Sequence, residues 1–401
     1  MTSDNSYPIR EIFRKFYPSY LEHHPNLPEH VKKVADCIRM CKTGELGHNV
    51  SACANCKKIF IHNVSCNNRH CPNCQAPMEK KWEMERQTEV IGVIAYYHVV
   101  FTLPHELNDL IKANMAVLLN LLFQCVHETF LSLCADKKFM GAKPGILSVL
   151  HTWGQRLSFH PHLHVCISGG GLHTRVDKFI ETRHKGFFIP EAVLAESFRG
   201  KYLCALKELY RKEKLTFSLT PELADPLKWK DFINNLFEKR WLPFVKETFN
   251  GNGNAVKYLA RYSFRTAISN NRIVSFDDEN VSFRYKDYQD HNQEKIMTVK
   301  GEDFIGLFLQ HVLPKGFNRI RFAGFLANSQ KAKNLKLIHW LRRTPYSGNT
   351  YRDMSVADLI LMLYKHDIRK CPLCHHGLCF YPRGKPLNIP SSYSYYKPEA
   401  N

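Results

Sequence analysis

The segment Ser158-Phe159-His160-Pro161-His162-Leu163-His164-Val165-Cys166-Ile167 alternates without a break between two kinds of side chain. Residues two apart in a strand share a face, so His160, His162 and His164 point one way while Phe159, Leu163, Val165 and Ile167 point the other. One face is built for a core and the other is lined with imidazoles. Neutral imidazoles at this spacing can both ligate one divalent metal, which makes His162 and His164 candidate ligands; the competing reading is an ordinary polar face on an amphipathic strand. Pro161 lacks a ladder donor, so the regular strand is expected to begin near His162, leaving His160 to face substrate or support the ligands.

Working outward, Ile91–Leu103 reads as a buried strand stopped by Pro104, and His105–Ala135 as a helix with apolar residues at helical spacing. Gly145–Phe159 and Leu163–Ile167 read as strands, Pro190–Lys214 and Lys228–Phe249 as helices. Arg272–Phe276 and Val281–Tyr285 form a hairpin across the Asp277-Asp278-Glu279-Asn280 turn. Strands joined by both hairpins and helices give an α+β chain. Composition divides it into residues 1–92, rich in cysteine, a mixed middle at 93–325, and a basic C-terminal region at 326–401.

Seven of the fourteen cysteines lie before residue 91. Cys53-Ala-Asn-Cys56 and Cys71-Pro-Asn-Cys74 are two C-x2-C knuckles separated by fourteen residues, close to the spacing of a four-thiolate zinc ribbon, so Cys53, Cys56, Cys71 and Cys74 are expected to share one structural Zn2+. A redox C-x-x-C would sit singly beside a βαβ unit, which this zone lacks. Cys41, His48, Cys66 and His70 lie close by and leave ligand exchange or a second metal open. Cys371-Pro-Leu-Cys374-His375-His376, with Cys379, is half a ribbon, compatible with a metal or with free thiols.

The chain carries 56 Lys and Arg against 37 Asp and Glu, a net charge of +19 over 401 residues, and such an excess answers a polyanion. Nucleic acid is the expected partner. Between Phe304 and Arg352 there is no acidic residue and there are nine basic ones, Arg319 and Arg321 among them, interleaved with Phe317, Phe322, Phe325 and Trp340. Those aromatics suit a nucleic-acid surface or a core. The most apolar stretch read as such, Ile91–Leu103, is too short to span a bilayer, so no membrane partner is expected. Met1-Thr-Ser-Asp-Asn5 shows no basic and apolar leader, which points to a reducing cytoplasm (bacterial, nucleoid-associated), where thiols ligate metals in preference to forming disulfides.

Asn252-Gly-Asn254 reads as a turn and helix cap, followed by Tyr258 and Tyr262 one helical turn apart, with Lys257, Arg261 and Arg265 as a parallel basic stripe. Paired tyrosines are commonly packing residues. A phenol with its ordinary pKa near 10 needs a cation or base beside it to attack phosphorus, and here cations are adjacent.

Taken together, Cys53-x2-Cys56 with Ser65-Cys-Asn-Asn-Arg-His-Cys-Pro-Asn-Cys74, His160-Pro-His-Leu-His164, Tyr258-Leu-Ala-Arg-Tyr262 with Ala267-Ile-Ser-Asn-Asn-Arg272, and Gln310-His-Val-Leu-Pro-Lys-Gly-Phe317 resemble, in order, the two-tyrosine HUH transposases of bacterial rolling-circle insertion sequences, the IS91 family. The resemblance covers most of residues 40–325. It implies an N-terminal zinc ribbon-like, DNA-binding module followed by an HUH endonuclease domain, a central antiparallel sheet flanked by helices. It further implies His162 and His164 as ligands of Mg2+ or Mn2+, and Tyr258 and Tyr262 as nucleophiles that nick and rejoin single-stranded DNA through 5′-phosphotyrosine. A third metal ligand is expected, with His160, Gln155 and Asn270 as candidates. Lys257, Arg261, Arg265, Arg272, Arg319 and Arg321 are expected to bind DNA, namely single strands, hairpin ends of the element and target DNA. A related replication initiator or relaxase would share the chemistry. A non-catalytic zinc-dependent DNA-binding regulator would lack it.

Overall fold

A computed structural model describes residues 8–92, 94–173, 175–182, 186–250, 263–381 and 389–396. Tyr258 and Tyr262, with Lys257 and Arg261, lie outside the described residues. The chain packs as two units, each assembled from separated segments: one from residues 1–81, 264–312 and 351–401, the other from 82–263 and 313–350. The three consecutive zones read from composition are therefore interleaved, and the region after 326 divides between both units.

The second unit is built on an antiparallel sheet. Strands β3 (Ala95–Thr102), β4 (Lys143–Trp153), β5 (Phe159–Leu172), β6 (Phe179–Glu181), β7 (Phe244–Asn250) and β11 (Ile320–Gly324) take the order β11-β4-β5-β3-β7, with β6 also paired to β5. The alternation of β5 works as expected: Phe159, Leu163, Val165 and Ile167 join Val99 and Phe101 of β3 and Ile146 and Leu150 of β4 in the larger core. Helices α5 (Met115–Ala135), α6 (Glu191–Arg211) and α7 (Pro226–Glu238) supply its other side. On the opposite sheet face, Tyr96, Leu147 and Cys166 pack with Leu335 and Ile338 of α9 (Lys331–Leu341).

Four expectations are corrected. The strand after Gly145 ends at Trp153, and β5 starts at Phe159, so a turn separates two long strands. Pro161 is tolerated inside β5 because β3 ends opposite His162, where Thr102 pairs with it, and the β4 pairing is irregular between His151 and Trp153. No ladder donor is missed there. The helix expected over Lys228–Phe249 stops at Glu238, and its last part is strand β7, where Phe244 and Val245 continue the sheet beside β3. Finally, α5 is long and apolar enough in composition to cross a membrane, unlike any run recognised in the sequence, yet it is a core helix. Its polar stripe, Asn120, Gln124 and Glu128 at four-residue spacing, is exposed, while Leu118, Leu122, Val126 and Phe130 are buried.

In the first unit, α1 (Pro8–His23), α2 (Glu29–Met40) and α8 (Gly301–Leu309) pack around Ile9, Phe13, Ile38, Phe304 and Phe308, with Phe13 and Phe308 edge to face at 5.1 Å. The expected hairpin is present as β8 (Ile273–Phe276) and β9 (Asn280–Asp287), extended by β10 (Gln293–Lys300). A separate four-stranded sheet joins β1 (His48–Cys53) and β2 (Lys58–Asn63) to β12 (Leu378–Tyr381) and β13 (Ser394–Tyr395).

Candidate metal centres and nucleic-acid surface

Three imidazoles converge on the face of β5 opposite the larger core. His151 of β4 stands directly opposite His162 in the ladder, and His164 lies two residues further along β5, so one nitrogen from each falls within 4.8 Å of the others. Cross-strand pairs on one face sit about 5 Å apart, which is why a single histidine on β4 completes the set. His162 and His164 occupy the places the sequence indicates. His151 was not among the expected third ligands.

The three named candidates are placed differently. The His160 ring lies 5.2 Å from that of His162, but its nitrogen is not among the converging three. Gln155 is in the turn between β4 and β5. Asn270 belongs to the other unit, where its amide donates to Asn73 at 2.8 Å and its carbonyl accepts from the Ile9 N–H at 3.2 Å.

His162 and His164 are both oriented through Nδ1. His162 Nδ1 lies 2.7 Å from the carbonyl of His160, which can only accept, so Nδ1 carries the proton and Nε2 is the lone-pair nitrogen. His164 Nδ1 lies 3.0 Å from Nε2 of His98, a buried residue on β3 whose ring stacks on that of His164 at 5.2 Å. Burial pushes His162 down to about 4 and lowers His160 as well, so these rings are neutral at physiological pH. The sequence reading passed over His98, whose signal was a lone histidine inside the apolar run Ile91–Leu103.

The thiols also sort differently from expectation. Cys53 and Cys56 do not meet Cys71 and Cys74. Cys41, Cys66, Cys71 and Cys74 form one cluster, and Cys53, Cys56, Cys371 and Cys374 another, the sulfurs of each lying within 4.8 Å of one another. Backbone geometry decides this. Cys41 caps α2, and Lys42 after it takes a positive φ of 60° while its N–H bonds the carbonyl of Val64, which carries the chain from β2 back beside Cys41. Cys66 follows two residues later, its N–H directed at Cys41 Sγ at 3.5 Å, and Cys66 Sγ stands 3.8 Å from Cys74 Sγ. Backbone N–H groups of Asn68 and Asn73 point at Cys66 and Cys71 sulfurs, a pattern that favours thiolates.

Among the basic residues, Arg265 is exposed, whereas Arg272 is half-buried with Nε donating to the Arg284 carbonyl at 2.8 Å. Arg319 is only 7% exposed, which corrects its reading as an open phosphate contact. Arg321 lies over the Phe123 ring at 4.2 Å, hydrogen-bonds Asn120 and the Asn318 carbonyl, and lines with Lys315 an open polar pocket of about 540 Å³. Phe317 and Phe325 are core residues. Trp340 is 72% exposed and shares a face of α9 with exposed Lys333 and Lys336, with Arg343 just beyond the helix end.

These features define a class, a strongly basic α+β protein with thiolate clusters and a three-imidazole centre on an antiparallel sheet. Two family models match the chain: one described as "Transposase zinc-binding domain", of the IS91 type, over residues 12–103, and one described as "Putative transposase" over residues 145–333. The chain is 37% identical to "Putative transposase y4qJ" of Sinorhizobium fredii over 372 residues, 92% of this chain and 93% of that one. It is 28% identical to "Transposase for insertion sequence element IS801" of Pseudomonas savastanoi pv. phaseolicola over 344 residues, 83% of this chain and 79% of that one. No solved structure matches. The chain belongs to the IS91 family of transposases, carries that family's zinc-binding domain and structural Zn2+, and acts on DNA.

Proposed function

We propose that this transposase nicks and rejoins single-stranded DNA at the ends of its element, in a rolling-circle reaction, with His151, His162 and His164 as the divalent-metal ligands and Tyr258 and Tyr262 as the nucleophiles. The observation that carries this reading is the convergence of three imidazole nitrogens on one sheet face. The donor set fits a divalent cation: the His162 ring is held neutral, and both β5 rings are anchored through Nδ1. Nitrogen donors favour Mn2+ over Mg2+, which prefers oxygen. When bound, the ion polarises the scissile phosphate and stabilises its developing charge.

The chain supplies the rest. A tyrosine oxygen attacks phosphorus and loses its proton, the P–O3′ bond breaks, and the 3′ oxygen leaves as a hydroxyl by taking up a proton. One phosphodiester is exchanged for one 5′-phosphotyrosine ester, so rejoining needs no ATP, in keeping with a sequence that has no G-x4-G-K-[ST] run. Two tyrosines let one hold a cut end while the other attacks a second strand. Cys41, Cys66, Cys71 and Cys74 hold the zinc of the zinc-binding domain, and the Lys333, Lys336 and Trp340 face of α9 tracks a single strand.

The test is a denaturant-resistant adduct between full-length protein and labelled single-stranded DNA spanning an element end. We expect the adduct with Mn2+, its loss without metal, and its loss in Tyr258→Phe/Tyr262→Phe. DNA cleavage that survives the double substitution would overturn the tyrosine chemistry; tight, salt-sensitive binding with no adduct at the element's own ends would favour a regulator.

A further inference from the structure

Cys371 and Cys374 lie outside both matched domains, which end at residues 103 and 333. They nevertheless face Cys53 and Cys56. Cys53 Sγ lies 3.4 Å from Cys374 Sγ, and Cys56 Sγ lies 3.6 Å from Cys371 Sγ, across more than three hundred residues of chain. These are not disulfides, whose sulfurs stand about 2.05 Å apart. Four sulfurs at Zn–S lengths of about 2.3 Å stand roughly 3.8 Å apart in a tetrahedron, close to what is seen.

The two C-x2-C turns are built alike. The Lys57 N–H bonds the Cys53 carbonyl at 3.0 Å and the His375 N–H bonds the Cys371 carbonyl at 2.9 Å, and Lys57 and His375 both take positive φ, 55° and 59°. That shared conformation costs energy in a non-glycine residue and turns both sulfurs of a knuckle toward one point. Backbone pairing seats the second knuckle against the first: β12 pairs with β1 with Cys53 opposite Leu378, and the Cys371 N–H bonds the His376 carbonyl at 2.7 Å to close the C-terminal hairpin. The strand β13 then pairs with β2, with the Ser394 N–H on the Lys57 carbonyl at 2.9 Å.

Among the described residues, the buried apolar cluster around the two knuckles is only Cys53, Phe60 and Cys371, far short of what a small module needs to fold without a staple. We propose that Cys53, Cys56, Cys371 and Cys374 bind a second structural Zn2+, distinct from the ion of the N-terminal zinc-binding domain, which clasps the C-terminal segment to the N-terminal one. The eight thiols thereby divide into two closed four-thiolate sites. The N-terminal half of the second site is incomplete without the C-terminal segment. Neither site offers an open position, so the second ion's work is folding.

The test uses full-length, zinc-replete protein and needs no dependence on DNA cleavage. In native alkylation followed by mass spectrometry, the exposed Cys204 and Cys379 serve as internal standards. Cys56 and Cys374 are partly exposed in the structure, so metal ligation is what would protect them. We expect all four clasp cysteines to resist alkylation at least tenfold relative to the standards, and to become reactive together on treatment with a strong chelator. Labelling of Cys56 and Cys374 at the rate of Cys379 in zinc-replete protein would overturn the proposal. As a second arm, Co2+-substituted Cys371→Ser/Cys374→Ser should lose half of the sulfur-to-cobalt charge-transfer absorbance of the parent; full retention would equally overturn it.

Discussion

Replacing His98 with Phe isolates what a side chain one step removed from the proposed metal site contributes. His98 Nε2 lies 3.0 Å from His164 Nδ1, and the two rings are stacked with 9° between their planes. Phenylalanine keeps the ring, its volume and most of the stacking but cannot accept a hydrogen bond. Where His164 ligates through Nε2, its Nδ1–H is the donor of this pair, and the variant leaves that proton without the His98 acceptor or shifts the ring to the tautomer whose proton sits on Nε2. The lost net hydrogen bond is worth about 0.5–1.5 kcal/mol and the uncompensated buried donor about 1–3 kcal/mol. The part felt on metal binding corresponds to roughly a 10–100-fold weaker site. Calorimetric titration of full-length His98→Phe with Mn2+ should show that rise in Kd, while saturating Mn2+ restores most adduct formation. A Kd within twofold of the parent, in a variant of unchanged Tm, would refute the argument that His98 sets the His164 tautomer.

Four further outcomes follow from the same structure. Trp340→Ala should weaken single-stranded DNA binding by about 1–3 kcal/mol without changing the salt slope, since a stacking platform and no charge is removed. Lys333→Ala/Lys336→Ala should instead flatten the log Kd against log salt plot by roughly 0.7 for each phosphate no longer neutralised, measured by fluorescence anisotropy. His127, half-buried near Arg321 with Nε2 3.0 Å from the Ser148 hydroxyl, is held down at about 4, first by desolvation and then by that arginine. The unfolded chain therefore takes up a proton near 6.5 that the folded chain refuses, so stability present above that value should fall by up to about 2 kcal/mol between pH 7 and 5. Denaturant melts should show it, and a His127→Gln variant should show a flatter profile. Gly324 has a φ of +66°, and a Cβ there would stand 1.7 Å from the Pro144 carbonyl oxygen, so Gly324→Ala should cost about 3 kcal/mol or more and lower Tm sharply in a thermal scan.

The period-two alternation around His162 was sufficient to place a strand with an apolar side and an imidazole side, because side-chain direction in a strand is a local property. The α+β class, the boundaries of α6 and the β8–β9 hairpin were legible for the same reason: caps, prolines and periodicity act within a few residues. Lys228–Phe249 misled because Leu242, Phe244 and Val245 suit a helix face or a strand equally, and only the open edge of β3 selects the strand. The cysteine spacing declared thiolate metal sites, yet two C-x2-C knuckles fourteen residues apart do not say whether they share a metal.

Which thiols meet, and which third histidine joins His162 and His164, depends on registers between strands far apart in the chain. His151 reaches the pair because β4 lies antiparallel to β5 with that one alignment, and a slip by a single residue would turn it to the face packed by α5, α6 and α7. Cys371 and Cys374 reach Cys53 and Cys56 because β12 closes on β1 after more than three hundred intervening residues. Sequence alone determined the chemistry each segment carries, since residue type and local spacing are written in the chain. Tertiary structure decided the partnerships, since long-range backbone pairing brings together groups whose separation along the chain bears no relation to their distance in space.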